Sequence, residues 1–243
     1  LSGARILEVA ELDFRLVPHV WPFRVERAAG IAAHWEERKA AQPALYDGRV
    51  LLLGRHGFET RADGTIALRG EYFETDFSAF LAWRDFGFPG PEVCNGFSMA
   101  ALRTSDGAFI LGEMAGHTSN PGAIYFAAGT PDRQDVFGDR VDLEASATRE
   151  LEEETGIPAG ETTYDSRWIV VHAPPRVACM KIMRLGMSAE AAKARIDAFL
   201  ASEDRPELAA VHIARGPDDL DPARALPFVQ DFLRWAFAQS PVG

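Results

Sequence analysis

The chain has 243 residues, 47% of them hydrophobic, which is enough to bury a substantial core in one large domain or two small ones without covalent or metal staples. Its formal net charge of −11 excludes sequence-independent binding to long nucleic acids, because such a surface repels a phosphate backbone. No apolar run reaches the roughly 20 residues of a membrane span, and the start, Leu1 to Leu16, carries acids and bases through its apolar positions, so neither insertion nor secretion is expected. Cys94 and Cys179 lie far apart and match no ligand or redox spacing; they read as small core residues of a cytoplasmic protein.

In chain order, Arg5 to Leu16 alternates loosely and reads as a strand or strand pair, broken by Pro18 and Pro22. From Phe23 to Gln42, Val25, Ala28, Ala29, Ala32 and Trp35 recur at helical spacing among charges, predicting one amphipathic helix stopped by Pro43. Val50 to Leu53 and Ile66 to Phe77 read as strands, and Asp76 or Ser78 caps a helix through Phe80, Leu81, Trp83 and Phe86. The turn formers of residues 87–91 then mark a boundary.

Phe97 to Thr104 and Ala108 to Met114 flank Ser105-Asp106-Gly107 and predict a hairpin, with a further strand over Ala123 to Ala127. Val141 to Thr155 reads as a helix with Asp142 as N-cap and Gly156 as C-terminal glycine. Strands over Trp168 to His172 and Val177 to Leu185, a helix over Ser188 to Ser202, a strand over Leu208 to Ala214 and a helix over Pro227 to Phe237 complete the chain. This irregular alternation supports a mixed α/β architecture over a doubly wound parallel sheet, with residues 1–95 as an N-terminal extension and 96–243 as the main domain.

The segment that carries chemistry is Arg149-Glu150-Leu151-Glu152-Glu153-Glu154-Thr155-Gly156-Ile157. At about 100° per residue, Glu150, Glu153 and Glu154 fall within one narrow arc, while Glu152 faces away and Leu151 leans to the core. Clustered carboxylates repel unless something neutralises them, and a hard divalent cation with oxygen ligands, magnesium or manganese, does so directly. Arg149 precedes Glu153 by four residues, a spacing for a salt bridge. A bare run of glutamates is more often a solvated face, and the order of the string is what separates the two readings.

That order resembles the C-terminal half of the Nudix box, in which Arg-Glu, an aliphatic residue, any residue, Glu-Glu, any residue, Gly and an aliphatic residue follow one another. The first half departs from the family: counted back without gaps, Val141 stands where a glutamate is expected and Asp135 where a glycine is expected. An insertion over Val136 to Val141 restores the pattern, with Gly129 as the glycine and Asp135 as either the missing acid or a surface-loop aspartate.

The resemblance implies an α/β/α sandwich with a mixed sheet and a hydrolase that cleaves a diphosphate linkage in a nucleoside diphosphate derivative by metal-activated water. Glu150, Glu153 and Glu154 would be the metal ligands, with Arg149, Glu150, Glu153 and Glu207 as catalytic residues. Glu207, at the entry of the last strand near Glu203, is the candidate base, its alternative being an exposed loop acid beside Pro206. The stretch Trp35 to Gly48 is similar to an extension of Nudix proteins that hydrolyse UDP-sugars, which makes a nucleotide-sugar one candidate substrate beside coenzyme A and dinucleotides. A Nudix domain that binds a nucleotide as a sensor is the alternative to an enzyme. No two histidines share a metal-ligand spacing; His117 reads as a turn residue that can meet substrate, and Trp168 as the tryptophan most available for base stacking, since Trp35, Trp83 and Trp235 sit on apolar stripes.

Overall fold

The computed structural model describes residues 3–239; Leu1 and Ser2, from the start read above, and residues 240–243 lie outside them. Strands β1 (Arg5–Val9) and β2 (Glu11–Leu16) lead into helices α1 (Pro22–Glu26) and α2 (Ala28–Ala41), then β3 (Arg49–Thr60), β4 (Ile66–Asp76) and α3 (Phe77–Asp85). The hairpin β5 (Asn95–Arg103) and β6 (Phe109–Met114) precedes β7 (Ile124–Tyr125), the short pair β8 (Val136–Phe137) and β9 (Arg140–Val141), and α4 (Leu143–Thr155). Strands β10 (Thr162–Thr163), β11 (Trp168–Ala173) and β12 (Arg176–Leu185), helix α5 (Ala189–Leu200), β13 (Leu208–Ala214) and α6 (Pro227–Ala238) follow. The fold is mixed α/β, as expected.

The larger sheet runs β1-β11-β12-β5-β6-β13, with β10 beside β12 and β7 beside β6. Its β12–β5 pair is parallel and its other pairs antiparallel. Because side chains alternate along a strand, β5 serves two cores. Met99 and Ala101 pack with Phe228 and Phe232 of α6 on one face, and Ala100 and Leu102 with Leu151 of α4 and Ile196 of α5 on the other. Helix, sheet and helix thus form the sandwich that the resemblance implies.

The second sheet runs β3-β4-β2-β9-β8, with β2 and β4 parallel. Phe14, Leu53 and Tyr72 pack against Val170 and Cys179 of the larger sheet, and Cys94 and Cys179 are both free and buried there, as small core residues should be. Chain crosses in both directions: β1 pairs with β11 of the larger sheet, and β9 pairs with β2 of the smaller one.

Two local expectations are corrected. The helix predicted over Phe23 to Gln42 is interrupted at Arg27 (φ −106°, ψ 13°), and the stripe through Val25, Ala28, Ala29 and Ala32 is exposed, since Phe23 and Ile31 supply the burial instead. At α3, Asp76 occupies the N-cap position without capping: its carboxylate pairs with Arg24 and Arg49, and the Ser78 amide donates to Asp47 Oδ1 at 2.7 Å.

Candidate active site

Helix α4 is fixed at both ends by the residues expected to do so. The Asp142 carboxylate accepts hydrogen bonds from the amides of Glu144 and Ala145 at 3.0 and 3.1 Å, a cap that contributes about 1 kcal/mol. Gly156 closes the helix at φ +66°, and a Cβ there would lie 2.5 Å from the Phe199 ring, so both conformation and packing require glycine. Leu151 is fully buried and anchors the helix on the sheet, while Glu152 faces solvent.

The acids around Leu151 sit in different surroundings. Glu154 is buried, with Oε1 accepting from the Ala128 amide at 3.2 Å; burial first, and the charge of Glu150 second, push its pKa well above the ordinary carboxylate range. Glu150 has a side chain 12% exposed, and its pKa rises to about 7: burial dominates, Arg149 opposes it, and Glu153, Glu207 and Asp135 add to the rise. Glu153 is more open, at 59% exposure, and accepts from Arg149 at 3.2 Å, the pair expected from the spacing.

Arg149 organises the cluster. One terminal nitrogen reaches Glu150 Oε1 at 2.8 Å as well as Glu153, and the other straddles the Asp135 carboxylate at 3.1 and 3.2 Å. Burial alone would lower the pKa of this guanidinium, but the charges of Glu150, Asp135 and Glu153 outweigh it and hold the pKa above its ordinary value.

Asp135 is not a surface-loop aspartate. It is 1% exposed, accepts from the Asp132 amide at 3.0 Å and closes a capping box on the 3-10 turn Arg133–Asp135. Residues 136–141, read as an insertion, fold into the β8–β9 hairpin and return the chain so that the Asp142 amide donates to the Asp135 carbonyl at 2.8 Å. Six intervening residues therefore leave the acid in contact with Arg149 of α4. Gly129 lies on the opposite side of the cluster, where a Cβ would fall 2.2 Å from Glu150 Oε1; only a glycine lets the loop backbone approach this carboxylate.

A cleft of about 760 Å³ opens at this loop, with Leu45, Arg49, His117, Gly129, Arg205 and Glu207 among its walls. Glu207 is exposed and its charge raises the pKa of both Glu150 and Glu154, whereas Glu203 lies outside the cleft. Trp168 is not available for stacking on a ligand: it is 4% exposed, with the buried Lys181 ammonium 4.5 Å from its ring. Arg84 and Arg176, in a chamber adjoining the cleft, are functional candidates that sequence reasoning missed, since neither stands in a motif.

Among the described residues no group of three or more His, Cys, Asp or Glu side chains is closed around one point. Arg149 draws Glu153 to one side, and Glu154 is held at the Ala128 amide. The donor set nonetheless fits a hard divalent ion: all donors are carboxylate oxygens, two are largely removed from water, and Glu153 raises the pKa of Glu150 while both raise that of Glu154, an imbalance that such a cation relieves.

No family model matches the chain, and no curated protein does. Solved structures similar to it include a Nudix hydrolase from M. smegmatis, RenU, at 16% identity over 61% of this chain and 87% of that one, with a TM-score of 0.38. Another is the MutT protein from Methanosarcina mazei Go1, at 14% identity over 59% of this chain and 93% of that one, also with a TM-score of 0.38.

Proposed function

We propose that this protein is a Nudix-type hydrolase that cleaves the diphosphate linkage of a nucleoside diphosphate derivative. The observation that carries the reading is the burial of Glu150 and Glu154 on α4, both within reach of the charge of Glu207 at the edge of a large cleft, with the glycine loop pressed against Glu150. A surface-only acidic helix has no reason to bury two of its carboxylates.

Glu150, Glu153 and Glu154 would hold magnesium or manganese, and such an ion would offset the charge of a diphosphate and lower the pKa of water. Arg149 fixes the orientation of Glu150 and Glu153, and Asp135 fixes Arg149. Glu207, exposed in the cleft, takes the proton from the attacking water as general base. Gly129, Arg49 and Arg205 line the cleft, and the two arginines offer charge along its walls. Most of the rate would come from positioning and electrostatics.

The test is a panel of diphosphate compounds incubated with the protein and magnesium, read by release of a nucleoside monophosphate or a sugar phosphate. Glu153→Gln should lose more than about tenfold in kcat/KM, given the several kcal/mol that a metal contributes. Binding of nucleotides without turnover of any compound would replace the enzyme with a sensor.

A further inference from the structure

Behind the cleft is a smaller chamber of about 130 Å³, which shares Tyr125, Ala128 and Gly129 with it. Phe77, Phe80, Phe97 and Phe228 give it a largely aromatic wall, yet Arg84 and Arg176 also line it and no Asp or Glu does. In a chain of net charge −11, a concavity with two guanidinium groups and no acid runs against the composition.

The two arginines differ in what balances them. Arg84 is tied down, with Nε donating to Asp85 Oδ1 at 2.9 Å and a terminal nitrogen donating to Asn120 Oδ1 at 3.0 Å. Arg176 forms no ion pair among the described residues; its guanidinium carbon lies 4.7 Å from the centre of the Phe88 ring. Burial first, and the neighbouring charge of Arg84 second, lower its pKa, so the fold bears a cost for keeping it there.

The platform beneath Arg176 is itself strained. Phe88 is the one non-glycine residue at positive φ (+59°) among the described residues, a conformation that disfavours a bulky side chain by about 1–2 kcal/mol. Its amide donates to the Trp83 carbonyl at 2.8 Å and its ring stands edge-on to Trp83 at 4.8 Å, which fixes the ring against Arg176. Asn95, also in the chamber wall, has a buried Oδ1 without a hydrogen-bond partner.

We propose that this chamber is an oxyanion subsite that takes a phosphoryl group of the substrate held away from the bond that is broken, with Arg176 as its contact and Arg84 beside it. The assignment rests on the hydrolase reading only for the identity of the bound molecule. A guanidinium stacked on one face keeps its in-plane donors free for two phosphoryl oxygens, and an aromatic surround strengthens that pairing by excluding water. Substrates with a second phosphoryl group beyond the scissile linkage would then be preferred over nucleotide-sugars that lack one.

The test begins without catalysis. Inorganic phosphate is titrated calorimetrically into metal-stripped protein in EDTA. Saturable binding is expected, weakened about tenfold or more in Arg176→Met, partly recovered in Arg176→Lys and unchanged in Glu153→Gln. Acetate is titrated in parallel, and acetate binding as tight as phosphate would overturn the assignment to a phosphoryl group. So would absence of phosphate binding, or equal binding by Arg176→Met whose thermal midpoint matches the wild type. In the hydrolysis panel, Arg176→Met should raise KM for compounds with the additional phosphoryl group and leave kcat nearly unchanged. Phosphate binding that depends on Arg176 in a protein inert toward every diphosphate would sink the hydrolase and keep the subsite; normal hydrolysis with Arg176-independent phosphate binding would do the reverse.

Discussion

Asp135→Asn separates a structural acid from a loop acid. In the fold this carboxylate is 1% exposed, receives two hydrogen bonds from Arg149 and accepts the Asp132 amide. Losing one member of a fully buried ion pair costs about 3–5 kcal/mol, but Arg149 is 25% exposed and keeps Glu150 and Glu153, so a smaller cost, about 2–3 kcal/mol, is expected. For a chain of 243 residues this corresponds to a fall in thermal midpoint of roughly 4–12 °C. Arg149→Met should be similarly costly, and the double variant should cost less than the sum, with a coupling of about 2 kcal/mol. The assay is denaturant unfolding of the four proteins of this cycle, with diphosphate hydrolysis measured alongside. Hydrolysis should fall further than stability accounts for, because Arg149 freed from Asp135 no longer fixes Glu150 and Glu153. A stability change within about 0.5 kcal/mol, the usual range for an exposed aspartate, would refute the role given to this residue.

Gly129→Ala should leave the fold stable to within about 1 kcal/mol while hydrolysis falls at least tenfold, because its Cβ would overlap the Glu150 carboxylate at 2.2 Å and displace it; unaltered turnover would remove the loop from the site. Glu144→Gln should destabilise by about 2–3 kcal/mol in urea unfolding, since the fully buried Lys181 ammonium 2.7 Å away loses its counter-charge, and Lys181→Met should cost less. His56 and His172 join β3 to β11 with ring nitrogens 3.1 Å apart, and the pKa of His172 is lowered by burial, then by His56 and Arg5. Here the unfolded chain binds the proton more readily than the fold, so this contribution to stability is complete above the unfolded value of 6.5 and is lost as pH falls through the folded value. His172→Gln should flatten that acid limb in unfolding measured from pH 7.5 to 5, and an unchanged slope would exclude the pair as its source.

Much of this site was legible because its information is local. Leu151, the Asp142 cap and the Gly156 terminator are set by helical spacing and hold their expected places on α4, whereas Glu150, Glu153 and Glu154 of that helix lie in different surroundings. The apolar pattern likewise revealed the β5–β6 hairpin and the α6 face. Asp135 was harder to read because its burial comes from a turn held against α4 through Arg149, with the β8–β9 hairpin spanning the gap, not from its neighbours in sequence. The helix over residues 23–42 misled for the opposite reason: alanines repeat at helical spacing there, but tertiary packing buries Phe23 and Ile31 instead.

The least legible feature is the join between the two sheets, which brings the early part of the chain to the cleft. The loop after β7 carries Gly129 against Glu150, and two residues later the Pro131 carbonyl accepts the Leu51 amide of β3 at 2.7 Å. Arg15 of β2 pairs with Arg140 of β9, and Arg133 bonds Glu74 of β4 at 2.7 Å. The segment that approaches the carboxylates is therefore clamped to the second sheet along most of its length. Leu45, Arg49 and Phe77 from the early part of the chain line the cleft together with His117, Gly129 and Glu207. A substrate lying between them would contact the early part of the chain with its non-reacting end and the box with its diphosphate. Changes at Leu45 or Phe77 should accordingly alter which compound is chosen, through KM, and leave kcat, and with it the proton transfer proposed for Glu207, untouched.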